Sequence, residues 1–180
     1  MTQDLRLTAR GLAFAGRVMP CTLGRGGVVT GAAKREGDGA TPAGIHRITA
    51  VLYRPDRVPQ PCRWAVPIGP QDRWCDASGH AAYNQLVRSP LIASHERMRR
   101  ADPLYDLVLV TDWNRDGSPG RGSAIFIHQW RRPGYPTAGC IALARQDLRW
   151  LAARLRPGAR LIVPLGSPRQ RQARRLEGAV

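Results

Sequence analysis

His128 and Cys140 are the two side chains whose types and spacing best suit covalent chemistry in this chain. A cysteine attacks as thiolate, so its thiol needs a base or positive charge nearby. Histidine is the side chain that titrates near neutral pH without perturbation. Cys140 follows His128 by a step of twelve residues, in the segment His-Gln-Trp-Arg-Arg-Pro-Gly-Tyr-Pro-Thr-Ala-Gly-Cys. A loop of that length can fold back and set imidazole beside sulfur. Gly139 lets the backbone turn tightly, and the amides of Gly139 and Cys140 would then face a developing oxyanion. Arg131 and Arg132 add positive potential that favours thiolate and could hold a substrate carboxylate. The same residues admit plainer readings. A buried cysteine is most often inert packing, and a histidine at a strand end is most often a hydrogen-bonded structural residue. A zinc site built from Cys75, His80, His128 and Cys140 is a further alternative, although it lacks a standard zinc spacing.

The elements that must position this pair are mostly short strands. Leu5–Thr8 alternates, 17–23 alternates weakly, and Gly44–Tyr53 is the clearest early strand, β-branched and alternating. Residues 64–68 form another short strand, and 31–44 read as a loop rich in glycine. The stretch 69–103 reads as an irregular loop or small subdomain over the site, with a short helical turn at 94–100. Leu107–Thr111 is a continuous apolar run, as a buried strand requires. In the next strand, 123–128, period-two geometry puts Ala124, Phe126 and His128 on one face. After Cys140 the period changes: Leu148, Leu151, Ala152 and Leu155 mark an amphipathic helix, and 160–164 returns as a strand. The expectation is a mainly β sandwich or barrel-like domain over 1–165, with a few short helices and a basic, frayed tail at 166–180.

Composition narrows the function classes. The chain has 180 residues, with 28 Lys plus Arg against 13 Asp plus Glu, a formal charge of +15. Lys34 is the sole lysine. That length suits one domain with its own core and leaves no room for a separate dinucleotide-binding half. A basic surface attracts polyanions. The arginines, however, are spread along the chain, and the few Phe and Tyr do not interleave with them as a stacking platform would need. No nucleic-acid partner is therefore expected. No apolar run is long enough to span a bilayer. Arg6, Arg10 and Arg17 interrupt any export signal at the start. The four cysteines form no Cys-x-x-Cys pair. Cys62 and Cys75 could bridge in an oxidising compartment, with free thiols as the equal alternative.

The segment 128–140 resembles the active-site signature of the L,D-transpeptidase catalytic domain, the YkuD type. In that family a strand-borne histidine precedes a loop and then Ser/Thr-x-Gly-Cys. Thr41-Pro42-Ala43-Gly44 also resembles the family's Thr-Pro-x-Gly, which leads into a core strand. The resemblance runs from about Lys34 to Pro164. It implies a YkuD-like β fold and a cysteine acyl transfer without metal or organic cofactor. Cys140 would attack a stem-peptide carbonyl of peptidoglycan, and a diaminopimelate amine of another stem would resolve the thioester, giving a 3-3 or 1-3 cross-link. His128 would be base and then acid, oriented by the backbone carbonyl of Gln129, with the Gly139 amide in the oxyanion hole. Donor and acceptor stems are the partners, the protein is expected to be a monomer, and the cell envelope is the implied location, with the cytoplasm as the alternative.

The sequence departs from the family's common pattern at Ala138, where His often stands, and at Ala142, where Arg or Asn often stands. The loop from His128 to Thr137 is also shorter than usual. Arg131, Arg132, Thr137, Tyr83 and Asn84 are the residues expected to supply the substrate contacts, with a simple loop turn as the equal alternative for Tyr83 and Asn84. The competing functions are an L,D-carboxypeptidase, with water resolving the thioester, and a non-enzymatic basic module that binds wall polymer or nucleic acid.

Overall fold

The computed structural model describes residues 4–88 and 90–166. The chain begins with β1 (Leu5–Thr8), β2 (Gly11–Phe14), β3 (Arg17–Met19) and β4 (Cys21–Thr22). The strand expected at 17–23 is thus two strands, split by Pro20, which has no N–H to offer a ladder. Two short strands, β5 (Val28–Val29) and β6 (Thr41–Pro42), pair in parallel and bracket the glycine-rich loop. Then come the long β7 (Gly44–Tyr53) and β8 (Ala65–Pro67).

The stretch 69–103, expected to be irregular, contains a small antiparallel sheet of β9 (Arg73–Cys75), β10 (Leu86–Val87) and β11 (His95–Arg97), in the order β10-β9-β11. The centre of the turn expected at 94–100 is therefore strand, His95–Arg97: Glu96 sits opposite Trp74, and pairing with β9 overrides the local preference. A single 3-10 turn, Pro103–Tyr105, follows, with Asp102 capping it by accepting from the Leu104 amide. The chain closes with β12 (Leu107–Thr111), β13 (Phe126–Gln129), β14 (Ile141–Leu143), helix α1 (Arg145–Ala152) and β15 (Arg160–Val163). The expected tail at 166–180 falls, beyond Gly166, outside the described residues.

The main sheet has the order β3-β2-β1-β15-β7-β12-β13-β14-β4, with β8 on β7. Its two edge strands, β3 and β4, are consecutive in sequence, so the sheet curls back on itself into a nearly closed barrel. The fold is mainly β, as the sequence led us to expect.

β12 explains how the site is mounted. Its five residues are all buried because both faces are covered. Leu107 and Leu109 enter one core with Ile127, Leu148 and Leu151, so α1 covers that side. Val108 and Val110 enter a second core with Phe126, Trp74, Met98 and Tyr105, so the small sheet and the 3-10 turn cover the other. Phe126 and His128 share the second face, as period-two geometry demands. Cys140 joins the same core. The strand starts at Phe126 rather than Ser123 because Ala124 has φ +52°, which breaks the extended run.

Candidate active site

β13 and β14 are parallel, with His128 opposite Ala142, and the loop 130–140 connects them. Its ends are tied down by backbone bonds. Trp130 N donates to Leu143 O at 2.8 Å, Thr137 N to Leu23 O at 2.9 Å, and Arg25 N to Thr137 O at 2.9 Å. Thr41, the threonine of Thr-Pro-x-Gly, pins the far end. Its hydroxyl donates to Gly139 O at 2.8 Å and accepts from Gly24 N at 3.0 Å, in a buried position. Gly139 has φ +140°, and a Cβ there would lie 2.9 Å from Ala40 O, so the loop passes where only glycine fits. The upstream motif thus acts on the cysteine by holding its loop. In a Thr41→Val variant the Gly139 carbonyl and Gly24 amide lose their partner, which costs about 2–4 kcal/mol. Thermal melting should show that loss; an unchanged melting temperature would remove the clamp from the account.

Cys140 stands just before β14 and is 8% exposed. Its Sγ donates to Ala124 O at 3.0 Å and accepts from Phe126 N at 3.4 Å. Burial, reinforced by the Glu96 carboxylate, pushes the thiol up to about 12, against smaller opposing effects of the Phe126 amide and Lys34. His128 is 7% exposed, and its Nδ1 lies 2.7 Å from Gln129 O. A carbonyl can only accept, so Nδ1 carries the proton and Nε2 is left with its lone pair. Burial lowers the imidazole to about 4, with the Gln129 carbonyl pulling the other way. At rest the pair is therefore neutral: a thiol and a free base, not thiolate and imidazolium.

Both residues line one cavity of about 350 Å³. Of the residues expected to contact substrate, Arg131 and Thr137 border it. Arg132 does not; it stacks its guanidinium over the Tyr135 ring at 5.2 Å. Tyr83 and Asn84 are not on the cavity wall, which corrects the expectation for both. Tyr83 is 2% exposed, donates to Glu36 Oε2 and accepts from Gly122 N at 3.1 Å. Asn84 spends its polar atoms on the protein interior. Gly139 N donates to Thr137 Oγ1 at 3.1 Å, so at rest this amide is already committed.

The cavity also holds charged residues that the sequence did not single out as site residues. Lys34 is 2% exposed, ion-paired to Asp38 Oδ1 at 2.7 Å. Tyr105 packs edge-on against His128, ring centres 5.3 Å apart, and donates to Glu96. Burial raises both Tyr105 and Glu96. Arg100 forks onto Asp102 at 2.7 and 2.8 Å. Asp76 has one carboxylate oxygen buried without a hydrogen-bond partner. Ala138 and Ala142 are also on the wall, so their small side chains enlarge the space beside the thiol. The signal for Lys34 was its being the sole lysine and preceding Thr-Pro-x-Gly; Glu96 gave none, since its strand was not legible, and Arg100, just beyond that strand, gave none either.

Among the described residues no group of three or more His, Cys, Asp or Glu is disposed to hold a metal, so the alternative set Cys75, His80, His128 and Cys140 is not assembled. All four cysteines are free, so the Cys62 to Cys75 bridge is not formed.

The family profile of the L,D-transpeptidase catalytic domain, YkuD, matches residues 15–163. No curated protein sequence matches the chain. Among solved structures, an L,D-transpeptidase from Mycobacterium smegmatis is similar at 16% identity and a TM-score of 0.40, over 89% of this chain and 57% of that one. This chain therefore spans little more than half of that structure's length. The profile match encloses Thr41, His128 and Cys140, and by it the chain belongs to the L,D-transpeptidase catalytic domain family.

Proposed function

We propose that this protein is a peptidoglycan L,D-transpeptidase working through a Cys140 thioester. One observation carries the reading: a thiol and an imidazole with a free Nε2 share a single cavity, the tautomer being fixed by the Gln129 carbonyl. As Sγ attacks the stem-peptide carbonyl, Nε2 takes the thiol proton. His128 then returns that proton to the departing amine, the terminal D-Ala, as the C–N bond breaks and the thioester forms. A diaminopimelate amine of a second stem attacks the thioester, His128 accepts its proton, and the new amide leaves Cys140 as thiol again. The oxyanion is held by the Cys140 amide, with the Gly139 amide joining once Thr137 Oγ1 gives it up. Arg131 and Thr137 contact the donor stem. The acceptor amine meets the carboxylates of Glu36, Asp76 and Glu96 on the wall. The reaction belongs to the cell envelope, and among the described residues no helix is long and apolar enough to cross a membrane.

Purified tetrapeptide muropeptides should give cross-linked dimers that need no ATP. A carbapenem should add its mass to the wild type and not to Cys140→Ala. Shortened monomers without dimers would make the enzyme an L,D-carboxypeptidase. Salt-sensitive wall binding without any product would leave a binding module.

A further inference from the structure

Asn84 makes every hydrogen bond its amide can make. Its Nδ2 donates to Trp113 O and Asn114 O, each at 2.8 Å. Its Oδ1 accepts from Trp74 Nε1 at 3.0 Å and from Ala124 N at 2.9 Å. The side chain thus joins β9 to the segment between β12 and β13. Its own backbone is left-handed, at φ +58°.

The last of these bonds leads to the nucleophile. Ala124 is itself left-handed, at φ +52°, a conformation that L residues other than Asn and Asp seldom adopt. Such strain persists only where neighbours enforce it. Here Asn84 fixes the Ala124 amide, the left-handed φ sets where its carbonyl goes, and that carbonyl accepts the Cys140 thiol at 3.0 Å. We propose that Asn84 is a positioning residue for Cys140: it holds Ala124 left-handed, and the Ala124 carbonyl holds the Sγ rotamer and its proton. Asn84 does not border the cavity, so it acts on the thiol and not on substrate. This role rests on Cys140 being the nucleophile.

The other groups that bear on this sulfur are His128 from β13, Glu96 from β11, Tyr105 from the 3-10 turn and Lys34 before β6. The test leaves all of them in place. Asn84→Gly removes the side chain while tolerating φ +58°. Iodoacetamide labelling, read by mass on the peptide carrying Cys140, gives the thiol's pH midpoint without any stem peptide. With its proton acceptor released, the thiolate becomes easier to form. The midpoint should fall by about one pH unit, while kcat for transfer falls about tenfold and KM stays within about twofold. In the double variant Asn84→Gly/Ala124→Gly, glycine can be left-handed without the clamp, and the midpoint should move back toward wild type. A folded Asn84→Gly with the wild-type midpoint and kcat overturns the proposal, as does a double variant indistinguishable from the single. Should Asn84→Gly not fold, Ala124→Val keeps Asn84 but disfavours the left-handed backbone; its midpoint should fall too, and an unchanged one overturns the proposal. If wild type shows the expected labelling behaviour yet forms no dimers, the transpeptidase reading fails and the positioning role stands.

Discussion

Replacing Cys140 with alanine should abolish acyl transfer and, above about pH 10, make the protein more stable than wild type. The first effect follows from the loss of the proposed nucleophile. The second follows from the buried thiol. In the unfolded chain it ionises near 9.0, and in the folded protein burial holds it to about 12. Between those values the unfolded chain has released the proton and the folded one has kept it. Unfolding of the wild type is then favoured by about 1.4 kcal/mol for each pH unit above 9. Alanine has no proton to release and escapes this penalty. At pH 7 the order reverses, since the variant lacks the bond to Ala124 O and some packing, worth about 1 kcal/mol. Urea midpoints of both proteins at pH 7 and pH 10.5 check this. A difference that does not change with pH would mean that the thiol is solvated when folded.

His128→Gln lowers transfer by about 10²–10⁴-fold, and the pH dependence of the wild type distinguishes a buried base from an exposed one. The imidazole ionises near 6.5 when unfolded and only near about 4 when folded. As the pH falls through that interval, the unfolded chain binds a proton that the folded protein does not. The wild type therefore loses about 3 kcal/mol of stability between pH 6.5 and 4 on account of this residue. The variant lacks that loss, so the stability difference between the two proteins shifts in the variant's favour on acidification. His46, also lowered by burial, is common to both and cancels. For the same reason kcat/KM of the wild type should hold on acidification until the pH nears 4. An acid limb at the ordinary histidine value would show that the base is open to water, and the neutral resting pair would have to be given up.

The parts of this site that could be read from sequence were those set by local rules. Leu107–Thr111 and Gly44–Tyr53 show their burial in their own side chains, and both strands are present over the same residues. The helix after Cys140 follows from its period, although it ends at Ala152, and Leu155 packs from beyond its end. His128 and Cys140 stood out in the sequence because the proposed chemistry restricts which residue types can serve, and the fold brings both to one cavity. What was not visible depends on partners distant in sequence. β11 is a strand because β9 lies beside it. Glu96 and Tyr105 come together from different elements. Tyr83 and Asn84 were expected to meet substrate because polar residues in a loop often do. Nothing local reveals that Trp74, Trp113, Asn114 and Ala124 all converge on Asn84.

The order of strands in the main sheet also governs how the chain folds. β15, among the last residues described, lies between β1 and β7 and bonds to both. The N-terminal hairpin can form early, but it has no place in the sheet until residues 160–163 have been synthesised. The most distant pairing in the sequence is thus the one that joins the two halves of the barrel, and loop closure over such a span is slow. Until it happens, the edges of β1 and β7 stand open to pairing with other chains. Refolding should accordingly be slow and sensitive to protein concentration, with the loop between β13 and β14 gaining its final form only after the barrel has closed.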